Sequence, residues 1–321
     1  ETGCGGRSRW ALGSLDDNAT AAFYFDLRQE SEHPGTARRS ILQFQTAYLH
    51  PAGQKRLRVT SLSIPHAAPD LHDILMGFDQ EAAAVVVARL AVEKCREEPL
   101  EDVMRWLDQR LIRLCSRFAD YRQGEAETFC LPPQLHLFPQ FMYHLRRSQF
   151  LQTFNASPDE SAFVRSVLLR ESTLNSIVMI QPALLQYSIN ADTPVPVRLE
   201  AESMKPDVIL LLDGFFHVVV WRGEQVQDWV DHGYHEREEY ANLKALLQAP
   251  AEDAKLIIAG RFPAPRYVST SARGSQERFV TCRVSPPDAK VQGMSRGVTL
   301  LTDDVSLAVF VEHLIQHCVQ A

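Results

Sequence analysis

The sequence predicts a multidomain protein with a strand-rich start, an all-α middle and an α+β end. Three successive patterns carry that reading. Apolar residues alternate with period two across residues 7–64, switch to three-and-four spacing from Asp70 onward, and give way to short β runs separated by turn residues beyond residue 204. With 321 residues, 45% of them hydrophobic and 23% charged, the chain is long enough to bury two or three cores.

In the first region Ala21, Phe23, Phe25 and Leu27 oppose Ala22, Tyr24 and Asp26, and Leu42, Phe44, Thr46 and Tyr48 repeat the alternation. Both stretches read as strands. His50-Pro51-Ala52-Gly53-Gln54 supplies a turn, after which Lys55, Arg56 and Arg58 interleave with Leu57 and Val59 as a strand with one basic edge.

In the middle region Phe78 to Lys94 is rich in alanine and valine and keeps its charges at its ends. Leu100 to Phe118 sets Val103, Trp106, Leu107, Leu111 and Leu114 on one helical stripe. Leu131-Pro132-Pro133 interrupts the series, which resumes over Phe138–Phe154 and Asp159–Leu169. Ser157-Pro158-Asp159-Glu160 has the form of a helix start, with a serine cap, proline at the first position and acids in the first turn. Arg146-Arg147-Ser148 fits a basophilic phosphorylation site; the competing reading pairs the arginines with neighbouring acids on a helix face.

Val178-Met179-Ile180-Gln181-Pro182 closes the helices, and Asp192-Thr193-Pro194-Val195-Pro196-Val197 reads as an extended connection returning towards the sheet of the first region. Beyond it, Val208–Leu212 and Phe216–Trp221 are apolar β runs around Asp213-Gly214, and Tyr240–Leu247 is helical. A last helix spans Asp303–Val319, with Thr302 as its cap and Asp303 and Asp304 answering its dipole. Before that helix, Tyr267-Val268-Ser269-Thr270 and Glu277–Val284 read as a hairpin whose tip, Ser271–Gln276, is small and polar. That places Arg278 at a strand start, on the face of Val280, Cys282 and Val284. From spacing alone it lays its stem on the core and pairs with an acid.

Composition and motifs exclude several classes of function. A net charge of -7 argues against a general nucleic-acid binder. The longest apolar runs fall short of a bilayer span and no signal or transit peptide opens the sequence, so a soluble protein is expected. Six cysteines, at 4, 95, 115, 130, 282 and 318, form no C-x-x-C pair, as expected for a reducing cytosol. In that setting the sequons at Asn18 and Asn155 are chance matches. Phosphate-cradling, nucleophile-elbow and zinc-hydrolase motifs are missing. His313 and His317 share a helix face without an evident third ligand, and His232 and His235 read as loop and cap residues, so no metal site is expected. No cluster has calcium-loop spacing either.

One segment points to a family. Gly274-Ser275-Gln276-Glu277-Arg278-Phe279 resembles the Gly-Ser-Gln-Ala-Arg-Phe segment of the GTPase-activating subunit of the COPII inner coat. Similar segments, in the family's order, run through Phe78–Ala84, Arg105–Asp108, Leu111–Cys115, Phe138–Met142, Leu145–Ser148, Asn155–Glu160, Leu246–Pro250 and Leu301–Leu307, covering almost the whole chain. The resemblance implies the end of a β-sandwich over 1–66, a helical domain over 67–175, a connecting segment over 176–203 with room for a returning sandwich strand, and a gelsolin-like domain over 204–321. It also implies that a zinc module and a trunk domain precede Glu1, which carries no methionine, so the chain is expected to be a fragment without a cofactor of its own.

The same resemblance implies the chemistry. Arg278 becomes an arginine finger supplied in trans to a Sar-type small GTPase, and Gly274, Ser275, Gln276 and Phe279 shape its loop. A small GTPase already holds nucleotide, magnesium and water, and a guanidinium adds a permanent planar charge that fits phosphate oxygens. The implied setting is peripheral contact with the endoplasmic reticulum membrane, where the basic edge at Lys55, Arg56 and Arg58 would meet anionic lipid heads. Further implied partners are a second inner-coat subunit and proline-rich outer-coat segments. Two residues depart from the family pattern. Glu277 replaces a small residue and must point away from nucleotide phosphates, and Arg273, where relatives carry glycine or histidine, competes for the role of finger. The rival class is a binding module without catalysis, either a coat paralogue that has lost activation or a gelsolin-like module recognising proline-rich partners.

Overall fold

The computed structural model describes residues 9–15, 19–25, 39–67, 70–152, 156–191, 193–287, 301 and 305–320. These fall into two compact units, one of residues 22–79 and one of residues 1–21 with 80–321.

The smaller unit is built on one hairpin. β1 (Arg39–Leu49) pairs antiparallel with β2 (Lys55–Pro65) in a continuous register that sets Leu42 against Leu62 and Tyr48 against Arg56. The turn at 50–54 closes through Gly53, whose φ of 78° suits glycine. Both strands were legible from their alternation, yet neither face is buried: Ile41, Leu57 and Val59 are exposed, as are Lys55, Arg56 and Arg58. Residues 21–25 form no strand and find no ladder partner among the described residues; Phe23 meets the Phe44 ring at a tilt, 5.3 Å between centroids. Asp26 and Leu27 lie outside the described residues. A one-and-a-half-turn helix, α1 (Leu71–Met76), follows, with Asp70 accepting the Asp73 N–H.

The larger unit opens with α2 (Gln80–Lys94) and α3 (Leu100–Phe118), which bury Ala84, Ala88 and Val92 and the stripe Val103, Leu107 and Leu111. Trp106 sits only half inside, under Lys94 and Arg110. A short hairpin, β3 (Asp120–Arg122) with β4 (Glu125–Cys130), then interrupts the helices. α4 (Phe138–Arg146) stops eight residues short of the predicted end. There the Ser148 hydroxyl donates to the Leu145 carbonyl and converts the helix into a turn. α5 (Pro158–Arg170) starts as its sequence predicts: Ser157 Oγ accepts the Glu160 N–H at 3.1 Å. α6 (Thr173–Ile180) completes this part.

The end of the chain is a five-stranded sheet in the order β6-β5-β7-β8-β9, made of β5 (Ala183–Ser188), β6 (Val195–Pro196), β7 (Val208–Asp213), β8 (His217–Arg222) and β9 (Arg266–Ser271). The segment after α6, expected to return towards the first sheet, instead supplies β5 and β6, because Leu184 and Tyr187 complete the cores on the two sides of β7. α7 (Glu224–Asp231) and α8 (Ala241–Ala259) cover one face, and α8 runs through the buried Pro250 well past the predicted Leu247. A single helical turn, α9 (Arg278–Thr281), lies at the other face, and the chain ends in α10 (Leu307–Gln320), with Ser306 Oγ accepting the Val309 N–H. Thr302, Asp303 and Asp304 lie outside the described residues. No helix among the described residues is long and apolar enough to cross a membrane.

A buried ion pair ties α3 and α4 to the chain's last segment. Arg146 and Asp108 pair directly with side chains 2% and 1% exposed. Arg146 Nη2 also donates to the Leu301 carbonyl at 2.8 Å, and the Leu301 N–H donates to Asp108 Oδ2 at 3.0 Å. Arg146 therefore has an acid, as one sequence reading held, but a buried one on α3 and not a neighbour on its own helix face. Ser148 is 1% exposed with its hydroxyl engaged, which removes the phosphorylation reading.

Two outcomes follow. Asp108→Ala strips a buried guanidinium and the Leu301 N–H of an acceptor, so thermal melts should show a loss of about 3–5 kcal/mol. A loss below about 1 kcal/mol would refute this. His144, buried in α4 beside the Tyr143 ring, is held down to a pKa of about 3, first by burial and then by the Arg147 cation. Its unfolded form takes a proton below 6.5 and its folded form does not, so its stabilisation is complete above 6.5 and drains away as pH falls towards about 3. His144→Phe keeps the ring and should flatten the fall in melting temperature over that window.

Candidate functional site

The candidate site is the passage from β9 to α9. β9 pairs parallel to β8, setting His217 beside Arg266 and Trp221 beside Thr270, and the Ala272 N–H extends the ladder by donating to the Arg222 carbonyl. The chain then turns away. Arg273 adopts φ 62°, the Gly274 N–H donates to the Ser271 carbonyl, and the Glu277 N–H donates to the Gly274 carbonyl at 3.0 Å.

The predicted second strand is absent. Glu277 already has helical angles, and residues 278–281 form α9, from which the Cys282 N–H donates back to the Arg278 carbonyl. The reason lies in spacing. Val280 and Val284 are four apart, a separation that puts both on one face of a strand and also on one face of a helix. The helical choice buries them at 0% and 4% against Leu210, Val219, Trp221 and Val268. It also leaves Arg278 exposed rather than laid on the core.

Among the described residues no carboxylate pairs with Arg278. Its guanidinium carbon lies 5.5 Å from the centroid of the Phe279 ring, and that of Arg266 lies 5.4 Å from the same centroid. Phe279, half-buried at the edge of the core, packs against the His217 ring at 5.1 Å. Burial, then Arg283 and then Arg266 push the His217 pKa down against an opposing pull from Glu160, so the imidazole stays neutral to lower pH than an exposed one.

The two departures resolve separately. Glu277 turns inward: one carboxylate oxygen accepts the Trp221 indole N–H at 3.1 Å and the other accepts the Arg273 backbone N–H at 2.8 Å. The Arg273 side chain pairs with Glu224 at 3.0 Å on the surface. Of the loop residues, Gly274 is required by space. A Cβ there would come within 2.8 Å of Thr270 Oγ1 and 2.9 Å of the Ser271 carbonyl. Ser275 is exposed and Gln276 half-buried, its carbonyl accepting the Phe279 N–H. His217, Arg266 and Trp221 were not singled out from sequence, since only the parallel β8–β9 pairing brings them to the loop. His232 caps α7 through the Asp228 carbonyl, as a cap residue should.

Comparison with known proteins identifies the framework around this loop. Residues 2–67 match the Sec23/Sec24 beta-sandwich domain, residues 79–178 the Sec23/Sec24 helical domain, and residues 190–280 the gelsolin repeat. The chain belongs to the Sec23/Sec24 family. Its fold is similar to that of the human COPII-coat protein Sec24c over 87% of this chain, with a TM-score of 0.69 at 18% sequence identity. The chain spans 36% of that protein's length. A weaker likeness links 32% of this chain to 44% of a chain in the Thorarchaeota 2DGel3/rabbit actin complex, at 19% identity; its TM-score of 0.23 carries no weight for the fold.

In this Sec23/Sec24-family chain, then, β9 and its loop belong to the gelsolin-like domain, while the segment leaving α9 is braced by the helical domain. Arg147 donates to the Val284 carbonyl at 3.1 Å, and the Tyr143 hydroxyl meets Ser285 Oγ at 3.1 Å. Gly274→Ala should destabilise the chain by about 1–3 kcal/mol, because its nearest obstacles include backbone that cannot step aside. Ser275→Ala, on the open side of the loop, should stay within about 0.5 kcal/mol. Parallel thermal melts of the two variants compare them directly.

Proposed function

We propose that the chain is the GTPase-activating component of a COPII inner coat and stimulates a Sar-type small GTPase in trans through Arg278. The observation that carries this reading is an exposed arginine with no acid partner among the described residues, held at the start of a helical turn by a loop that resembles the family's finger segment. An arginine committed to a structural ion pair would not be available to a partner.

In the reaction, water attacks the γ-phosphorus and the bond to the β–γ bridging oxygen breaks, giving GDP and phosphate. Negative charge builds on the transferring group and the leaving oxygen, and a guanidinium placed there stabilises it more than it stabilises bound GTP. A finger typically adds about 10³–10⁵ in rate, or roughly 4–7 kcal/mol of barrier. Glu277 does not oppose this charge, since its carboxylate is spent on Trp221 and Arg273. Arg273, paired to Glu224, is the poorer candidate. The setting is that of a coat: peripheral contact with the endoplasmic reticulum membrane, a second inner-coat subunit, and proline-rich outer-coat segments.

Arg278→Ala should lower stimulated single-turnover hydrolysis by about 10² or more while binding to the GTP-loaded partner changes only a few-fold, because the finger acts mainly in the transition state. Arg278→Lys should rescue little, since a point charge lacks the planar fork. If Arg273→Ala abolishes activation and Arg278→Ala does not, the finger is Arg273. If neither matters, the chain is a non-catalytic coat paralogue or a binding module for proline-rich partners.

A further inference from the structure

Glu277 is the residue at which this chain departs most sharply from the finger segment it resembles, and the structure gives its carboxylate two partners. Both are N–H donors, the Trp221 indole and the Arg273 backbone. Trp221 is 2% exposed and fixed in the core with Val219, Val268 and Val280, so one end of the arrangement is immobile. Arg273 is in the left-handed region, which is strained for a residue with a Cβ. A charge-assisted bond to its N–H offsets that strain. The carboxylate therefore joins the first residues of the loop to the sheet from a position one residue before Arg278.

We propose that Glu277 is a positioning residue for Arg278, its carboxylate fastening the loop of residues 272–277 to Trp221 and so fixing the direction in which the exposed guanidinium leaves the fold. Successive residues of a helical turn point about 100° apart, so a Glu277 side chain anchored inward at Trp221 directs Arg278 outward. The Phe279 ring, braced by His217, supports the next residue of the same turn. A finger held this way loses less freedom when it enters a nucleotide site, and its effect appears in the rate more than in affinity. A small residue at 277 would leave the indole and the Arg273 N–H without this acceptor. This inference rests on the reading that Arg278 acts in trans.

The test uses the whole chain with a GTP-loaded Sar-type GTPase and the variants Glu277→Ala, Glu277→Gln and Arg278→Ala. Glu277→Ala should lower the maximal stimulated rate about tenfold and leave the half-saturating concentration within about twofold. Glu277→Gln should fall between, because an amide offers one acceptor oxygen to two donors. Added to Arg278→Ala, Glu277→Ala should change nothing further, as expected of a residue acting only through the finger. A wild-type rate for Glu277→Ala, or an equal loss with and without Arg278, would overturn the proposal. Independently of any partner, Glu277→Ala should shift the Trp221 indole N–H resonance and speed hydrogen exchange at the Arg273 amide. Unchanged signals would show that the carboxylate bonds are not made. If those signals respond but Arg278→Ala activates normally, the trans reading has failed and the positioning role falls with it.

Discussion

The buried ion pair of Asp108 and Arg146 organises the larger unit. Asp108 and Arg146 come from different helices, and between them they take both the N–H and the carbonyl of Leu301, a residue more than 150 positions further along the chain. Burying two charges is costly unless attraction and additional hydrogen bonds offset the lost hydration. Here the additional bonds go to backbone, so the pair defines where the end of the chain crosses α3 and α4. Tyr143, on α4, and Arg147, just past its end, contact residues 284, 285 and 305, so this stretch braces those described parts of the chain beyond the candidate loop.

The loop itself is an arrangement of opposed requirements. The Arg278 guanidinium stays in water, while its neighbours hold the backbone still. Val280 and Val284 bury the inner face of the turn, Gly274 lets the chain pass close to Thr270, and Glu277 engages the sheet through Trp221. Arg278 is left exposed over the Phe279 ring, with no carboxylate partner among the described residues.

Charge around the loop follows from burial as much as from composition. Arg266 and Arg278 share the Phe279 ring, and Arg283 and Arg266 both act on His217. A chain with a net charge of -7 thus carries a local basic face beside its candidate site. Net charge reports the sum over the molecule and says nothing of such an arrangement.

Much of this was legible before any coordinates. The alternation of β1 and β2, the helical stripe of α3, the cap at Ser157 and the apolar runs of β7 and β8 depend on neighbours a few residues away, and local sequence determines such features. The resemblance of residues 274–279 to the family's finger segment was visible for the same reason, as a contiguous motif. What only the tertiary structure decided depends on partners far along the chain. Residues 21–25 alternate like a strand but join no ladder among the described residues, and β5 and β6 belong to the last sheet because its core is completed there. Val280 and Val284 suit either period, so the sheet face they pack against, with the acceptor that Glu277 offers to Trp221, selects the helical turn. That selection sets Arg278 in solvent, since the direction of a side chain follows from what its neighbours bury.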